Sequence, residues 1–417
     1  MQTIDIEVGL TDEEREIRDV THKFAAEIMR PAGAELDRLA DPSAVIAADS
    51  VMWKVFDQYD ALGLNALETG DGEVDPIVSA RIRYLIGEEL GWGDSGLSIA
   101  LGVAGFPAMF ANLAGKPELI ERFTSSNRRE IGCWAVTEPD HGSDSLAFDQ
   151  PVFDNPDIRP NCIATKEGDE YVIRGQKAAW VSNGSIATVA VLFCTIDPSQ
   201  GFRGGGVALV PLDLQGVSRG KPLDKLGQRA LNQGEIYFDD VRIPADYMLV
   251  GTEAYSGIVE MVLATANAHM GATFVGLARA AFEHALDYSR ERVQGGVPIF
   301  EHQNVKGKIF RMFSQVEAAR SLARRVILYN STQPPLIQYS IASKTFCTQT
   351  AFEVTSQALQ IYGGNGLSRE YPIEKLLRDA RASMIEDGCN DILGLVEARA
   401  SRRSFSIGYS RESPFPP

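Results

Sequence analysis

Ile163-Ala164-Thr165-Lys166-Glu167-Gly168-Asp169-Glu170-Tyr171-Val172-Ile173 carries two short apolar-polar runs around Glu167-Gly168-Asp169, the pattern of a β-hairpin. The hairpin belongs to a stretch that begins near Glu130, where short apolar runs alternate with Gly, Pro and Asp. Further strands are predicted at 187–194, 207–211 and 235–238, and Val241-Arg242-Ile243-Pro244 closes the stretch. Helical spacing surrounds it on both sides. Upstream, Thr11 and Glu14 have capping-box spacing, and Ile17, Val20, Phe24 and Ile28 recur at three- and four-residue intervals up to Pro31. Helices are predicted at 51–62, 76–90 and 98–123, with a break at Thr69-Gly70-Asp71-Gly72. Downstream, long helices are predicted at 256–292, 305–329, 337–361 and 378–402, enough for a four-helix bundle. The expected architecture is α+β and multidomain: an N-terminal helical domain (1–128), a middle β-barrel or sandwich (129–245), a C-terminal four-helix bundle (246–407) and an unstructured tail (408–417).

With 417 residues, 44% hydrophobic and 23% charged, the chain has ordinary globular composition and room for a large core. Its net charge of −16 and the lack of basic runs longer than a pair argue against nucleic acid as a partner. The five cysteines have neither zinc-knuckle nor disulfide-framework spacing, so a reducing cytoplasm fits, and the acidic N-terminus lacks the marks of a leader. The apolar window 98–115 contains Pro107, Asn112 and glycines, and reads as a buried helix rather than a membrane span.

Gly204-Gly205-Gly206 precedes a strand and Gly363-Gly364-Asn365-Gly366 follows a helix, so neither is a Rossmann fingerprint. For Gly363-Gly364, a helix C-terminal turn and a close approach to ligand have equal claim. No metalloprotease, Walker A or nucleophile-elbow motif occurs, and His22, His141, His269, His284 and His302 show no ligand spacing, so no metal site is expected. His302, at a helix start, reads as a cap or subunit contact. Three polar segments remain. Trp134-Ala135-Val136-Thr137-Glu138-Pro139-Asp140-His141-Gly142-Ser143-Asp144 reads as a ligand loop at a strand end or as a plain turn. Gly175-Gln176-Lys177-Ala178-Ala179-Trp180-Val181-Ser182-Asn183-Gly184 puts an aromatic and a hydroxyl on one face of a half-buried strand. Arg378-Asp379-Ala380-Arg381-Ala382-Ser383-Met384-Ile385-Glu386-Asp387-Gly388-Cys389-Asn390-Asp391-Ile392 places adjacent carboxylates at a glycine-bearing break between helical stretches, where they could serve as a desolvated base or cap the last helix.

In this order, the segments resemble the acyl-CoA dehydrogenase family over nearly the whole chain. Thr-Glu-Pro-x-x-Gly-Ser-Asp (137–144), Trp-x-Ser-Asn-Gly (180–184), Lys-x-Gly-x-Arg (225–229), Phe-x-x-Val-x-Ile-Pro (238–244) and Gln-x-x-Gly-Gly-x-Gly (360–366) before Tyr-Pro-x-Glu-Lys are together highly specific. The resemblance implies FAD, with Val136 and Thr137 touching the isoalloxazine, Trp180 and Ser182 covering its other side, and Trp134, Ser143 and Asn390 also lining it. It implies that Arg292, Gln360, Gly363 and Gly364 reach the phosphates and adenosine half from a neighbouring subunit, hence a homodimer or homotetramer. It further implies an acyl thioester substrate met by Ser143, Asn267 and Gly388, and electron-transfer flavoprotein or another acceptor as redox partner. The family's catalytic glutamate aligns with Asp387. Other departures are Cys389-Asn390-Asp391, Asn267 in place of a frequent arginine, and Gly295 in place of a phenylalanine. The expected reaction is α,β-dehydrogenation of a CoA or carrier-protein thioester. An aspartate base is also similar to nitroalkane oxidases, although the serine and arginine of that branch are absent near Ala266 and Gly394; a flavin oxidase or monooxygenase, or a non-catalytic flavin-binding subunit, stands as the alternative.

Overall fold

The computed structural model describes residues 6–64, 75–124 and 129–396. The expected break at 69–72, the end of the last helix and the tail 408–417 lie outside the described residues. The chain opens with α1 (Asp12–Phe24), where the Thr11 hydroxyl accepts from the Glu14 N–H at 3.1 Å and the Glu14 carboxylate accepts from the Thr11 N–H at 2.6 Å. Instead of stopping at Pro31, the helix widens into a π turn (Ala25–Met29) and continues as α2 (Arg30–Arg38). Pro31 has no N–H to donate, and the wider turn accommodates it. Then follow α3 (Val51–Ala61), α4 (Pro76–Gly93), α5 (Ser95–Ala104), α6 (Phe106–Ala114) and α7 (Pro117–Thr124). The single run expected at 98–123 is therefore three helices, broken at Gly105 and again before Pro117.

The middle region is one eight-stranded sheet: β1 (Gly132–Ala135), β2 (Ile163–Glu167), β3 (Glu170–Lys177), β4 (Val189–Thr195), β5 (Gly205–Pro211), β6 (Val217–Arg219), β7 (Ile236–Pro244) and β8 (Met248–Val250). The hairpin is β2–β3, with Ile163 opposite Arg174 and Glu167 opposite Glu170. The two strands expected at 235–238 and 241–244 are one strand, β7. Strand order is β6-β7-β3-β2-β4-β5-β8, and β1 adds to β4 in parallel. Period-two alternation gives the sheet two apolar faces. Cys133, Ala135, Ala190, Leu192, Ala208 and Val210 point into the core of the rolled sheet. Trp134, Val136, Val191, Phe193 and Leu209 point the other way, against α6 and the first half of the next helix.

That helix, α8 (Thr252–Glu291), is joined by a short ribbon, β9 (Val293–Gln294) and β10 (Val297–Pro298), to α9 (Gln303–Thr332) and α10 (Ile337–Tyr362). The fourth expected helix is split: α11 (Ile373–Ser383) ends, and helix resumes as α12 over 390–396. Two stretches, Ser95–Ala114 and Thr252–Glu291, are long and apolar enough to cross a membrane. The first is interrupted at Gly105, and the second is a core helix with buried Arg279 and Glu283.

Helix α8 crosses α4 in near backbone contact. A Cβ on Gly276 would lie 2.0 Å from the Glu88 carbonyl oxygen, and one on Gly91 would lie 2.0 Å from that of Thr273. Beside the crossing, Arg279 donates to Glu88 at 2.8 Å and to Glu89 at 2.5 Å, while Arg320 of α9 reaches Glu88 at 3.0 Å. Burial by itself would raise the Glu88 carboxyl, but Arg320, Arg279 and Arg324 outweigh it and leave the group well below the usual carboxylate range. Gly276→Ala should force the helices apart and cost more than about 3 kcal/mol, as core overpacking against rigid backbone does. Gly102→Ala in α5 meets nothing within 4 Å and should instead stabilise by about 0.4–1 kcal/mol. Thermal melts of the two variants check the pair.

Candidate active site

Three loops from distant parts of the chain meet beside β1. The first, 136–144, leaves the end of β1. Its backbone is fixed from below by Lys177, which is wholly buried and donates to the Val136 carbonyl at 3.0 Å and the Glu138 carboxylate at 2.6 Å. Glu138 also accepts from the N–H groups of Asn161 and Cys162, at 2.5 and 3.1 Å. A buried carboxylate satisfied in this way fixes the backbone around it. Val136 and Thr137 are left half-buried at the surface of the sheet.

The second loop, 178–184, follows β3. Trp180 and Ser182 do not share a strand face, because the strand ends at Lys177 and the chain turns. The Ala178 N–H donates to the Thr137 carbonyl at 2.8 Å, which ties this loop to the first. Gln233 donates to the Trp180 carbonyl at 3.1 Å and the Ser182 hydroxyl at 3.3 Å, and Lys225 in turn donates to the Gln233 side chain at 2.8 Å. The Trp180 ring is 57% exposed, a large apolar face with no protein packed over much of it.

The third loop is the break between α11 and α12. Asp387 has φ 52 and Gly388 has φ 86, so the chain passes through two left-handed residues in succession. A Cβ on Gly388 would lie 2.9 Å from the Leu393 side chain, and glycine alone fits. Three anchors hold the loop. The Ser143 hydroxyl of the first loop accepts from the Cys389 N–H at 3.0 Å. Lys344 of α10, with no exposed surface, donates to the Gly388 carbonyl at 2.8 Å and to Asn390 Oδ1 at 2.9 Å. Gln228 donates to Glu386 Oε1 at 2.7 Å, turning that carboxylate toward the middle region. Burial pushes the Asp387 carboxyl up to about 6, and the Lys344 charge limits the rise. Burial and then the charge of Asp387 push Glu386 up to about 7, while burial draws Lys344 down to about 8.

Ser143, Gly388, Asn390 and Asp387 are thus brought together, with Val136, Thr137, Trp180 and Ser182 linked to them through Thr137–Ala178 and the 136–144 loop. Trp134 lies on the same sheet face as Val136, packed on Phe106 and Phe193. Asn267 is fully buried in α8, its amide N–H bonded to the Leu263 carbonyl. Arg292, Gln360, Gly363 and Gly364 are not in this constellation. They sit exposed where α8 and α10 end, held by the Tyr288–Tyr362 stack with ring centroids 3.9 Å apart. Sixteen residues of helix separate Lys344 from Gln360, about 24 Å. Gly363, at φ 60, caps α10, so the C-terminal turn is real, and its open backbone also leaves room for a ligand. His302 accepts no helix-capping bond; its Nε2 contacts the Gln294 carbonyl at 3.0 Å. Among the described residues no group of His, Cys, Asp and Glu could hold a metal ion, and all five cysteines are free.

Sequence reading missed Lys344 and Gln228, and it gave no role to Lys225, Lys177 or Glu138 although they lie in the segments and motifs it singled out. Lys344 had a visible signal: a lone cation in the apolar run Ile341-Ala342-Ser343-Lys344-Thr345-Phe346-Cys347.

The site fits a flavin. The exposed Trp180 offers a flat cover, and the Trp134 indole nitrogen and Ser145 hydroxyl are buried without a protein partner. Residues 133–241 match the acyl-CoA dehydrogenase middle domain, and 257–401 match the acyl-CoA dehydrogenase C-terminal domain. A cyclohex-1-ene-1-carbonyl-CoA dehydrogenase of Syntrophus aciditrophicus is 30% identical, over 94% of this chain and 90% of that protein. The solved butyryl-CoA dehydrogenase of Megasphaera elsdenii superposes with TM-score 0.82 at 27% identity, covering 95% of this chain and all of that one. A nitroalkane oxidase crystallised with 1-nitrooctane shares the fold, with TM-score 0.82 at 21% identity and 98% of each chain covered. The chain belongs to the acyl-CoA dehydrogenase family and is a FAD-dependent oxidoreductase of that family.

Glu138→Ala would leave the Lys177 ammonium buried and unpaired. The expected cost is about 3–5 kcal/mol, with weakened retention of flavin, read from thermal unfolding and from the flavin-to-protein absorbance ratio after gel filtration.

Proposed function

We propose that the protein catalyses α,β-dehydrogenation of an acyl thioester, with Asp387 as the base that removes the α-proton. The supporting observation is Asp387 itself: a half-buried carboxylate in a left-handed loop, raised to about 6 and anchored to the flavin loop through Cys389 and Ser143. A base of that strength is ionised at neutral pH yet keeps some driving force for a proton. FAD held by Val136, Thr137, Trp180 and Ser182 supplies the hydride acceptor for the β-hydrogen. The Ser143 oxygen is occupied by the Cys389 N–H, so its own O–H is left to donate toward ligand. Relatives named for cyclohex-1-ene-1-carbonyl-CoA and butyryl-CoA support a CoA thioester as substrate.

Arg292, Gln360, Gly363 and Gly364 lie too far along the helices to serve the flavin of their own chain. In this reading they serve that of a neighbouring subunit in a homodimer or homotetramer, and reduced flavin is reoxidised by an electron-transfer flavoprotein or another acceptor. The second reading, proton abstraction from a nitroalkane, draws on the aspartate at the base position. It requires reduction by nitroalkanes rather than thioesters.

Asp387→Asn should bind FAD and thioester normally while anaerobic flavin bleaching by saturated thioesters such as butyryl-CoA or cyclohexane-1-carbonyl-CoA slows by about 10²–10⁴-fold. Unchanged bleaching would remove Asp387 as base. In the unsubstituted protein the bleaching rate should rise with pH to a plateau, with a midpoint near 6. The same substitution should stabilise the fold. The folded carboxyl lies above its ordinary 3.8, so ionising it costs stability progressively from pH 3.8 upward and fully above 6. Asp387→Asn is therefore expected to gain about 1–2 kcal/mol at pH 8 and nothing below pH 3.8, measurable by denaturant titration at the two pH values.

A further inference from the structure

Lys344 is not itself among the cofactor or substrate positions assigned above, yet it is wholly buried and bonds to two of them, Gly388 and Asn390. Its ammonium has no exposed surface and sits on a buried helix face with Ile341, Cys347 and the hydroxyl of Thr348. Two of its donors are committed to the base loop, one to the carbonyl of Gly388 and one to Asn390 Oδ1, and Asn390 is held further by its own donation to Thr348 at 3.1 Å. Gly388 directly follows Asp387 and shares its left-handed turn, so the lysine fixes the peptide that sets the direction of the Asp387 side chain. A structural crosslink needs no charge there, and a neutral donor or an apolar contact would close the same gap more cheaply.

We infer that Lys344 is a positioning residue for proton abstraction, fixing the Asp387–Gly388 turn and supplying the cation that keeps the Asp387 carboxylate ionised in a buried site. The inference rests on Asp387 being the base. The charged and titratable groups that bear on it are Lys344 from α10, Glu386 and Cys389 from the loop itself, and Lys225 from the middle region, which faces Glu386. Of these, Lys344 is the charge that lowers Asp387. Near-neutral operation of the base then depends on a residue two helical stretches away in sequence.

Lys344→Met keeps an unbranched side chain one atom shorter and removes the charge and donors. With FAD bound, the midpoint of the pH profile for thioester-driven flavin bleaching should move up by about one unit. The rate at pH 6 should fall about fivefold relative to the unsubstituted protein, and the deficit should shrink as pH rises. Hydrogen exchange at the amides of Cys389 and Asn390, followed in the resting protein without thioester, should accelerate at least tenfold. Lys344→Arg, which keeps the charge, should restore the midpoint even if the rate is not fully recovered. A loss of equal size at every pH would reduce Lys344 to a structural prop, and an unmoved midpoint together with unmoved exchange would overturn the inference. If Asp387→Asn leaves bleaching intact, the base assignment fails by itself, and the exchange result still reports whether Lys344 holds the loop.

Discussion

The near contact of α4 and α8 at Gly91 and Gly276 is the constraint on which the helical parts depend. With backbones this close, Glu88 and Glu89 of α4 cannot avoid α8, and they are tolerable only because Arg279 and Arg320 meet them. A buried pair of this kind adds little net stability against an apolar alternative, but removing one member leaves an uncompensated charge. The network therefore acts as a registration device. It fixes where along its 40 residues α8 meets the N-terminal helices, and so where Asn267 and Arg292 fall relative to the sheet.

The site repeats the principle on a smaller scale, with one buried charge used to hold each loop. Lys177 and Glu138 fix the backbone under Val136 and Thr137, Lys225 reaches Trp180 and Ser182 through Gln233, and Lys344 fixes the turn at Asp387 and Gly388. Gln228 ties the last two together. Its N–H, in a left-handed residue at φ 50, donates to Asp379 of α11 at 2.5 Å, and its side chain donates to Glu386. Asp379 shares Lys375 with Asp94 at the start of α5. A chain of polar contacts thus runs from the N-terminal helices through the sheet loops to the base, so each part contributes to positions that none could define alone.

Sequence reading recovers what periodicity encodes. The β2–β3 hairpin, the capping box at Thr11 and the three long helices α8 to α10 follow from local spacing, and the motif resemblance supplies the site residues that lie within quoted segments. It loses what depends on contacts between segments. Pro31 looked like a terminus because the π turn before it leaves no mark in residue type. Trp180 and Ser182 looked like strand neighbours because nothing local announces that β3 ends at Lys177. Lys344 went unremarked because a buried cation and a solvated one are spelled alike; only the apolar run around it tells them apart.

If Asp387 is the base, as proposed, charge balance around it gives the departure from glutamate a physical sense. Burial makes the Asp387 carboxylate harder to ionise. An aspartate starts from a lower ordinary value than a glutamate, which offsets part of that rise. Lys344, closing on the same turn from the opposite helix, offsets more. On the proposal that Asp387 is the base, the aspartate and the buried lysine are one arrangement, in which a shorter and more acidic base is kept at working strength by a cation outside the family motifs.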